Sequence, residues 1–212
     1  MRVIRLTAGL VSAGVVLGAA SASMQEKAFV RITEEQGTAA LKVAAESAKG
    51  NYAALESNFQ REVRKIWNDY DNATYKVYDR AEMNVLVVGP AEMLVTQASA
   101  ALKRGEALDA IPWSGGVTVY IAAQTNESPD IIDIVVERDG KVIEPLQKLL
   151  QPRTIQAVIG AGRGANRTVH EGGYLYPASA FDPGGKVVVT AVSDAGRKYS
   201  KELFERDLRK IQ

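Results

Sequence analysis

A chain of 212 residues, in which 26 Lys and Arg nearly cancel 25 Asp and Glu, is long enough for one or two domains and has no global field to gather nucleic acid or an anionic membrane. It contains no cysteine, which excludes disulfides, thiolate nucleophiles, zinc ribbons and a lipid anchor on Cys; a single histidine, His170, excludes a metal centre built on several imidazoles. A hydrophobic share of 46% with 24% charged residues is that of a globular chain rather than a disordered one.

The first segment reads as a secretory signal peptide, residues 1–22. Arg2 and Arg5 supply the positive start, Leu6–Ala19 a short apolar run diluted by Gly and Ser, and Ala20-Ser21-Ala22 the small residues that signal peptidase requires. The run is short for a membrane span, so cleavage near Ala22 and export to a periplasm or cell surface are expected. Loss of Arg2 and Arg5 takes the formal charge from +1 to −1, still close to neutral.

A helical region, 23–112, follows. Gly37 and Gly50 punctuate its charged, alanine-rich beginning. Ala39, Ala40, Val43 and Ala44 form a weak apolar stripe, and Ala28–Thr33 reads as helix or strand. After Asn51, a good N-cap, Leu55, Phe59, Val63, Ile66 and Tyr70 recur at helical spacing. Asp69–Thr74 is turn-rich. Met83–Val88 is a short apolar run that periodicity alone leaves open between helix and strand. Pro90 suits the first turn of a helix reaching Arg104, with Leu94, Ala98, Ala101 and Leu102 on one side and Gly105 as its stop.

Past Pro112 the texture changes to short strands between turns. Val117, Val119 and Ile121 alternate inward. Ile131–Ile143 is a β-hairpin about Asp139-Gly140, a pair suited to a turn that needs φ > 0 twice. Ile132, Ile134 and Val136 are expected on one face, with Val136 opposite Ile143. Arg138 would face Lys141, a like-charge pair that argues for a slightly wider loop. Leu146–Leu150 reads as a short apolar link and Thr154–Ile159 as a strand. Gly160–Asn166 reads as a glycine-rich loop, and Thr168–Tyr176 as a strand interrupted at Gly172-Gly173. Asp182-Pro183-Gly184-Gly185 is a strong turn into Lys186–Val192, where Val187, Val189 and Ala191 face inward. Arg197–Leu203 completes the series. The expected fold is α+β: an N-terminal helical region, then an antiparallel β-sandwich of about seven short strands over 113–203, and a short helical tail, 204–212.

The run V-V-V-T-A-V-S-D-A-G-R, Val187–Arg197, resembles the paired late strands of bacterial immunoglobulin-like or fibronectin-type domains. The resemblance covers under half of the chain, and the two inter-sheet cysteines of antibody-type domains are absent. It implies an immunoglobulin-like sandwich whose role is to bind, space or scaffold.

Candidate chemistry is sparse. Gly160-Ala161-Gly162-Arg163-Gly164-Ala165 fits G-x-G-x-x-A, with Asp182 at the distance of a ribose-binding acid, but strand and turn residues follow where a dinucleotide site needs a helix. Ser114 in Pro112-Trp113-Ser114-Gly115-Gly116 echoes a nucleophile elbow without its first glycine, and His170 is the only imidazole that could serve it. Trp113 reads better as a hydrophobic plug where the two halves meet. Asp69, Asp71 and Asn72 offer oxygen atoms to calcium, without the glycine and distal glutamate of an EF-hand. Arg61, Arg64 and Lys65 share a helix face that reads as solvated. Trp67, Tyr70, Tyr75 and Tyr78 could stack on sugars, but packing is the commoner use of such residues. Three sequons begin at Asn72, Asn126 and Asn166.

No catalytic, cofactor-binding or metal-binding residue is assigned. The expected function is a non-catalytic binding or structural module of the envelope, with an envelope component or protein as partner and no nucleic acid. The alternatives are a hydrolase with its site between helical region and sandwich, and a scaffold that self-associates through the 51–70 helix.

Overall fold

The computed structural model describes residues 31–68, 70, 75–80, 83–108, 111–123, 129–159 and 163–211. Residues 1–22, expected to be a signal peptide, the acidic pair Asp69 and Asp71 with Asn72, and the sequons at Asn72 and Asn126 lie outside them. The fold is α+β, with helices first and two antiparallel sheets after them.

Helix α1, Glu34–Ala48, starts on a capping box in which Thr33 and Gln36 satisfy each other's backbone N–H groups. Lys49 and Gly50, both at positive φ, reverse the chain, and the Asn51 side chain accepts from the Ala53 and Ala54 N–H groups to begin α2, Tyr52–Ile66. Gly37 does not punctuate. It is buried inside α1, where a Cβ would come within 2.6 Å of the Trp113 ring. The missing side chain is what lets Trp113 seat on the helix, so a packing demand overrides the glycine's weak helix propensity. Leu55, Phe59, Val63 and Tyr70 are buried with Leu41 and Ala44 of α1 and Leu94 and Ala98 of α3, Pro90–Arg104. Val43, assigned to the weaker stripe, is instead 44% exposed. The stripe proposed for self-association is thus consumed within one chain, and α2 keeps no apolar face of that length for a second copy.

Met83–Val88 is a strand, β2, pairing antiparallel with β1, Tyr75–Arg80, and with β3, Gly116–Ala123. The region expected to be helical therefore also holds two strands, which join the larger sheet. Its path runs β1-β2-β3-β8-β6, with β8 spanning Arg163–Pro177 and β6 Gln147–Lys148. β7, Gln151–Ile159, pairs with the first half of β8. The smaller sheet runs β10-β9-β4-β5, from Lys198–Leu203, Val187–Ser193, Ile131–Arg138 and Lys141–Ile143. Among the described residues eight strands fall between Gly116 and Leu203, where about seven were expected. Gly172-Gly173 does not interrupt β8, and Arg163–Asn166, expected in a loop, extends it.

One core fills the space between the sheets. Val117, Val119 and Ile121 of β3 and Val187, Val189 and Ala191 of β9 face it as the alternation requires, with Val85, Val87, Tyr174, Tyr176 and Phe181. The short helix α4, Glu205–Leu208, closes one end with Leu208 and Ile211.

The β4–β5 hairpin forms with Val136 opposite Ile143. Two of its details differ from expectation. A bulge between Ile131 and Asp133 turns Ile132 outward to 43% exposure and puts Ile131 into the core beside Ile134 and Val136. The loop is the tight two-residue form, with Asp139 and Gly140 both at positive φ and Arg138 directly opposite Lys141. No wider loop is needed because the Arg138 guanidinium turns away, donating to the carbonyls of Ser179, Ala180 and Asp182.

Candidate functional site

Gly89-Pro90 ends β2 and starts α3, with Pro90 where its missing N–H costs no helical bond. Ala91, Leu94, Val95 and Ala98 of α3 face α1 and α2, which leaves two columns at i, i+4 spacing, Glu92–Thr96 and Met93–Gln97, on the flank beside the sheet. Opposite them stand Thr118 and Tyr120 of β3 and Gly173 and Leu175 of β8, the residues that alternate with the core-facing set. Trp113 closes one end. The β6 edge, held by the Leu146 N–H on Leu175 O (2.7 Å) and the Leu149 N–H on Gly173 O (2.9 Å), forms the other wall. These elements enclose a cleft of about 590 Å³ between α3 and the outer face of the larger sheet. That size falls in the range of sites for small organic ligands, and so does a mostly apolar lining with a few polar groups.

Glu92 is the single charged residue in the described lining, and no Lys, Arg or His joins it. The Tyr70 hydroxyl lies 3.5 Å from Glu92 Oε2. Burial, and then the negative charge of Glu92, push the acidity of Tyr120 to higher pH. The Oε1 atom of Gln97, which also lines the cleft, is enclosed with no hydrogen-bond donor among the described residues.

Trp113 and Ser114 both line this cleft, Trp113 as the expected plug. Ser114 Oγ donates to Gly116 O at 3.2 Å. His170 is elsewhere. Gly116 pairs with Pro177, and His170 stands seven residues further along extended β8, more than about 20 Å away at strand rise. A Ser114–His170 pair does not form. His170 is instead fastened to Asp130, a 6% exposed carboxylate whose Oδ1 accepts the His170 backbone N–H (2.8 Å) and whose Oδ2 lies 2.9 Å from His170 Nδ1. The pairing pattern explains the need for it. β3 pairs with β8 only as far as Gly172, so the N–H of His170 on that side meets no strand, and Asp130 takes the place of one. On the other side Pro152 faces His170 and, having no N–H, is tolerated because this pair exchanges no ladder bonds. Sequence reading missed Asp130, because nothing in the local pattern couples it to a residue forty positions on.

A second strap joins the sheets. The Tyr174 hydroxyl donates to Asp133 Oδ1 at 2.8 Å and the Tyr176 hydroxyl to Ile134 O at 3.0 Å. Burial first, then the Asp133 hydrogen bond and charge, push Tyr174 up to about 12, and burial pushes Tyr176 higher still. An unfolded tyrosine ionises near pH 10. The strap's contribution is therefore complete below pH 10 and is lost as pH rises through about 12, because only the unfolded chain gains from ionising in between. Ultraviolet titration should show the last tyrosines ionising together with loss of near-ultraviolet circular dichroism over that window. Ionisation of all eight tyrosines near pH 10 with the fold intact would contradict this.

The remaining candidates are absorbed by structure. Of the G-x-G-x-x-A run, residues 160–162 lie outside the described set, and Arg163 onward is strand where a pyrophosphate site needs a helix. Arg61 and Lys65 pair with Glu62, and Arg64 donates to Tyr70 O, so the basic face is internally engaged. Trp67 and Tyr70 are buried and Tyr75 packs against the inter-sheet core, while the Tyr78 side chain lies outside the described residues. Asn166 of the third sequon is exposed on β8. Among the described residues no three His, Asp or Glu side chains converge as metal ligands, and no helix is long and apolar enough to cross a membrane.

Comparison with protein-family models, with curated proteins and with solved structures returns no match.

Proposed function

We propose that this protein is an exported, non-catalytic binding module of the cell envelope that takes a small, largely apolar ligand into the cleft between α3 and the larger sheet. The carrying observation is the cleft itself, about 590 Å³ and walled by Met93, Trp113, Leu149 and Leu175 with few polar groups. Export rests on the signal-like residues 1–22. The body is read as an immunoglobulin-like sandwich. Strand order supports this: β2-β3-β8-β6 and β10-β9-β4-β5 follow the A-B-E-D and G-F-C-C′ order of that fold, with α3 inserted between the first two strands. In such a body the inserted helix adds a concave surface that the two sheets alone lack.

The chain recovered from the envelope fraction of the producing cells should lack residues 1–22 and should bind a neutral apolar fluorophore such as N-phenyl-1-naphthylamine saturably, at one site. Thr96→Trp, which fills the cleft from its exposed side, should weaken that binding at least tenfold with an unchanged Tm. Equal binding by parent and variant would remove the cleft from the function, and a full-length cytoplasmic product would remove export.

A further inference from the structure

A neutral polar group in the cleft narrows the ligand class. Gln97 stands one helical turn after Met93 in the same column of α3, and both line the cleft. Its Oε1 is enclosed and accepts no hydrogen bond among the described residues. One hydroxyl of the lining, Ser114 Oγ, is committed elsewhere, donating to Gly116 O at 3.2 Å. An amide oxygen enclosed without a donor is uncommon in a folded protein, and it is costly.

Gln97 also has a structural use. Glutamine is a good helix former, which accounts for the residue in α3. It does not account for an enclosed amide oxygen in a column whose other member, Met93, is apolar. A ligand lying against Gln97 takes away its access to water. Hydrocarbon there leaves the amide stripped, whereas a hydroxyl or an amide N–H satisfies it. The last torsion of a glutamine is broad, and a hydroxyl both donates and accepts, so it meets the amide in either orientation. A fully charged head is disfavoured, because a neutral amide does not offset the cost of enclosing a charge. Around this polar point Val88, Met93, Pro112, Leu149 and Leu175 provide surface for hydrocarbon.

Building on the proposed binding cleft, we infer that its ligand is a neutral amphiphile, a hydrocarbon body carrying a hydroxyl or primary amide that donates to Gln97 Oε1. Two isomers test this on the full chain: decanol, which donates and accepts, and nonyl methyl ether, which only accepts. Each competes with N-phenyl-1-naphthylamine below its solubility limit. The ether is the less hydrated of the two, so burial alone favours it. The parent protein should nevertheless bind decanol about tenfold more tightly. Gln97→Met, close in shape but without the amide, should bring that ratio to one or below. The urea midpoint of the ligand-free variant should equal or exceed that of the parent, because an unsatisfied acceptor has been removed. Equal affinities of the parent for the two isomers, or a preference for decanol that survives Gln97→Met, would overturn the inference and leave the apolar cleft standing. A lowered urea midpoint would overturn it too, by showing that Gln97 is bonded within the folded chain. Failure of the fluorophore to bind the parent would instead remove the cleft reading, and this inference with it.

Discussion

Replacing Asp130 by alanine is expected to lower the unfolding free energy by about 3 kcal/mol, measured as a shift of the urea midpoint. The carboxylate is almost fully buried and has two partners on one residue, the His170 backbone N–H and its Nδ1. Hydrogen bonds to an ionised acceptor are stronger than neutral ones, and deleting the acceptor leaves a strand N–H facing no partner where β8 parts from β3. His170→Ala separates the two contributions. It keeps the backbone bond and loses the ring contact with Asp130, so it should cost about half as much. The anchor sits at the root of the long β7–β8 hairpin, in which, among the described residues, β7 pairs with β8 alone, and a two-stranded ribbon has little stability of its own. Amide exchange in Gln151–Ile159 should therefore accelerate in Asp130→Ala before that of the core strands β4 and β9. A variant within about 0.5 kcal/mol of the parent, with unchanged exchange, would show that water replaces the carboxylate at no loss.

Gly173→Ala is expected to be as damaging, at about 3 kcal/mol, for a different reason. Gly173 pairs with Tyr120 in the β3–β8 ladder, and a Cβ there would overlap Tyr120 Cβ and Val119 O. Its φ is not among the positive ones, so the penalty is steric: the two central strands of the larger sheet must move apart. Gly140 is the contrasting control. It has φ +76 and open space, with nothing within 4 Å of where a Cβ would sit, so alanine there should cost only about 1 kcal/mol through backbone strain. Gly173 and Tyr120 both line the cleft, so Gly173→Ala should also impair binding of the apolar fluorophore. Equal stability losses at the two glycines would refute the steric account.

The helices, most strands and the β4–β5 hairpin were legible because their determinants are local. Asn51 caps α2 from within its own sequence, Gly105 ends α3, and Asp139-Gly140 closes its turn through the φ values of two adjacent residues. Where expectation and structure part, the reason is non-local in each case. Gly37 stays inside α1 because Trp113 occupies the space a side chain would fill. Ile132 faces out because the β4 ladder with β9 slips by one residue after Ile131. Arg138 sits opposite Lys141 without widening the loop because three carbonyls after Pro177 receive its guanidinium. Met83–Val88 becomes a strand because β1 and β3 flank it on both sides.

The sequence by itself determined the α+β order, the inward faces of β3 and β9, and the removal of thiol and multi-histidine chemistry, since each depends on composition or on side-chain periods of 2 and 3.6 residues. Tertiary structure alone decided the cleft and the Asp130–His170 anchor. Glu92, Trp113, Tyr120, Leu149 and Gly173 come from five separate segments, and Asp130 lies forty residues from His170, so no spacing records them. They meet because α3 is drawn against the outer face of a sheet whose inner face is already committed to the core, and burial, unlike periodicity, is a property of the assembled layers.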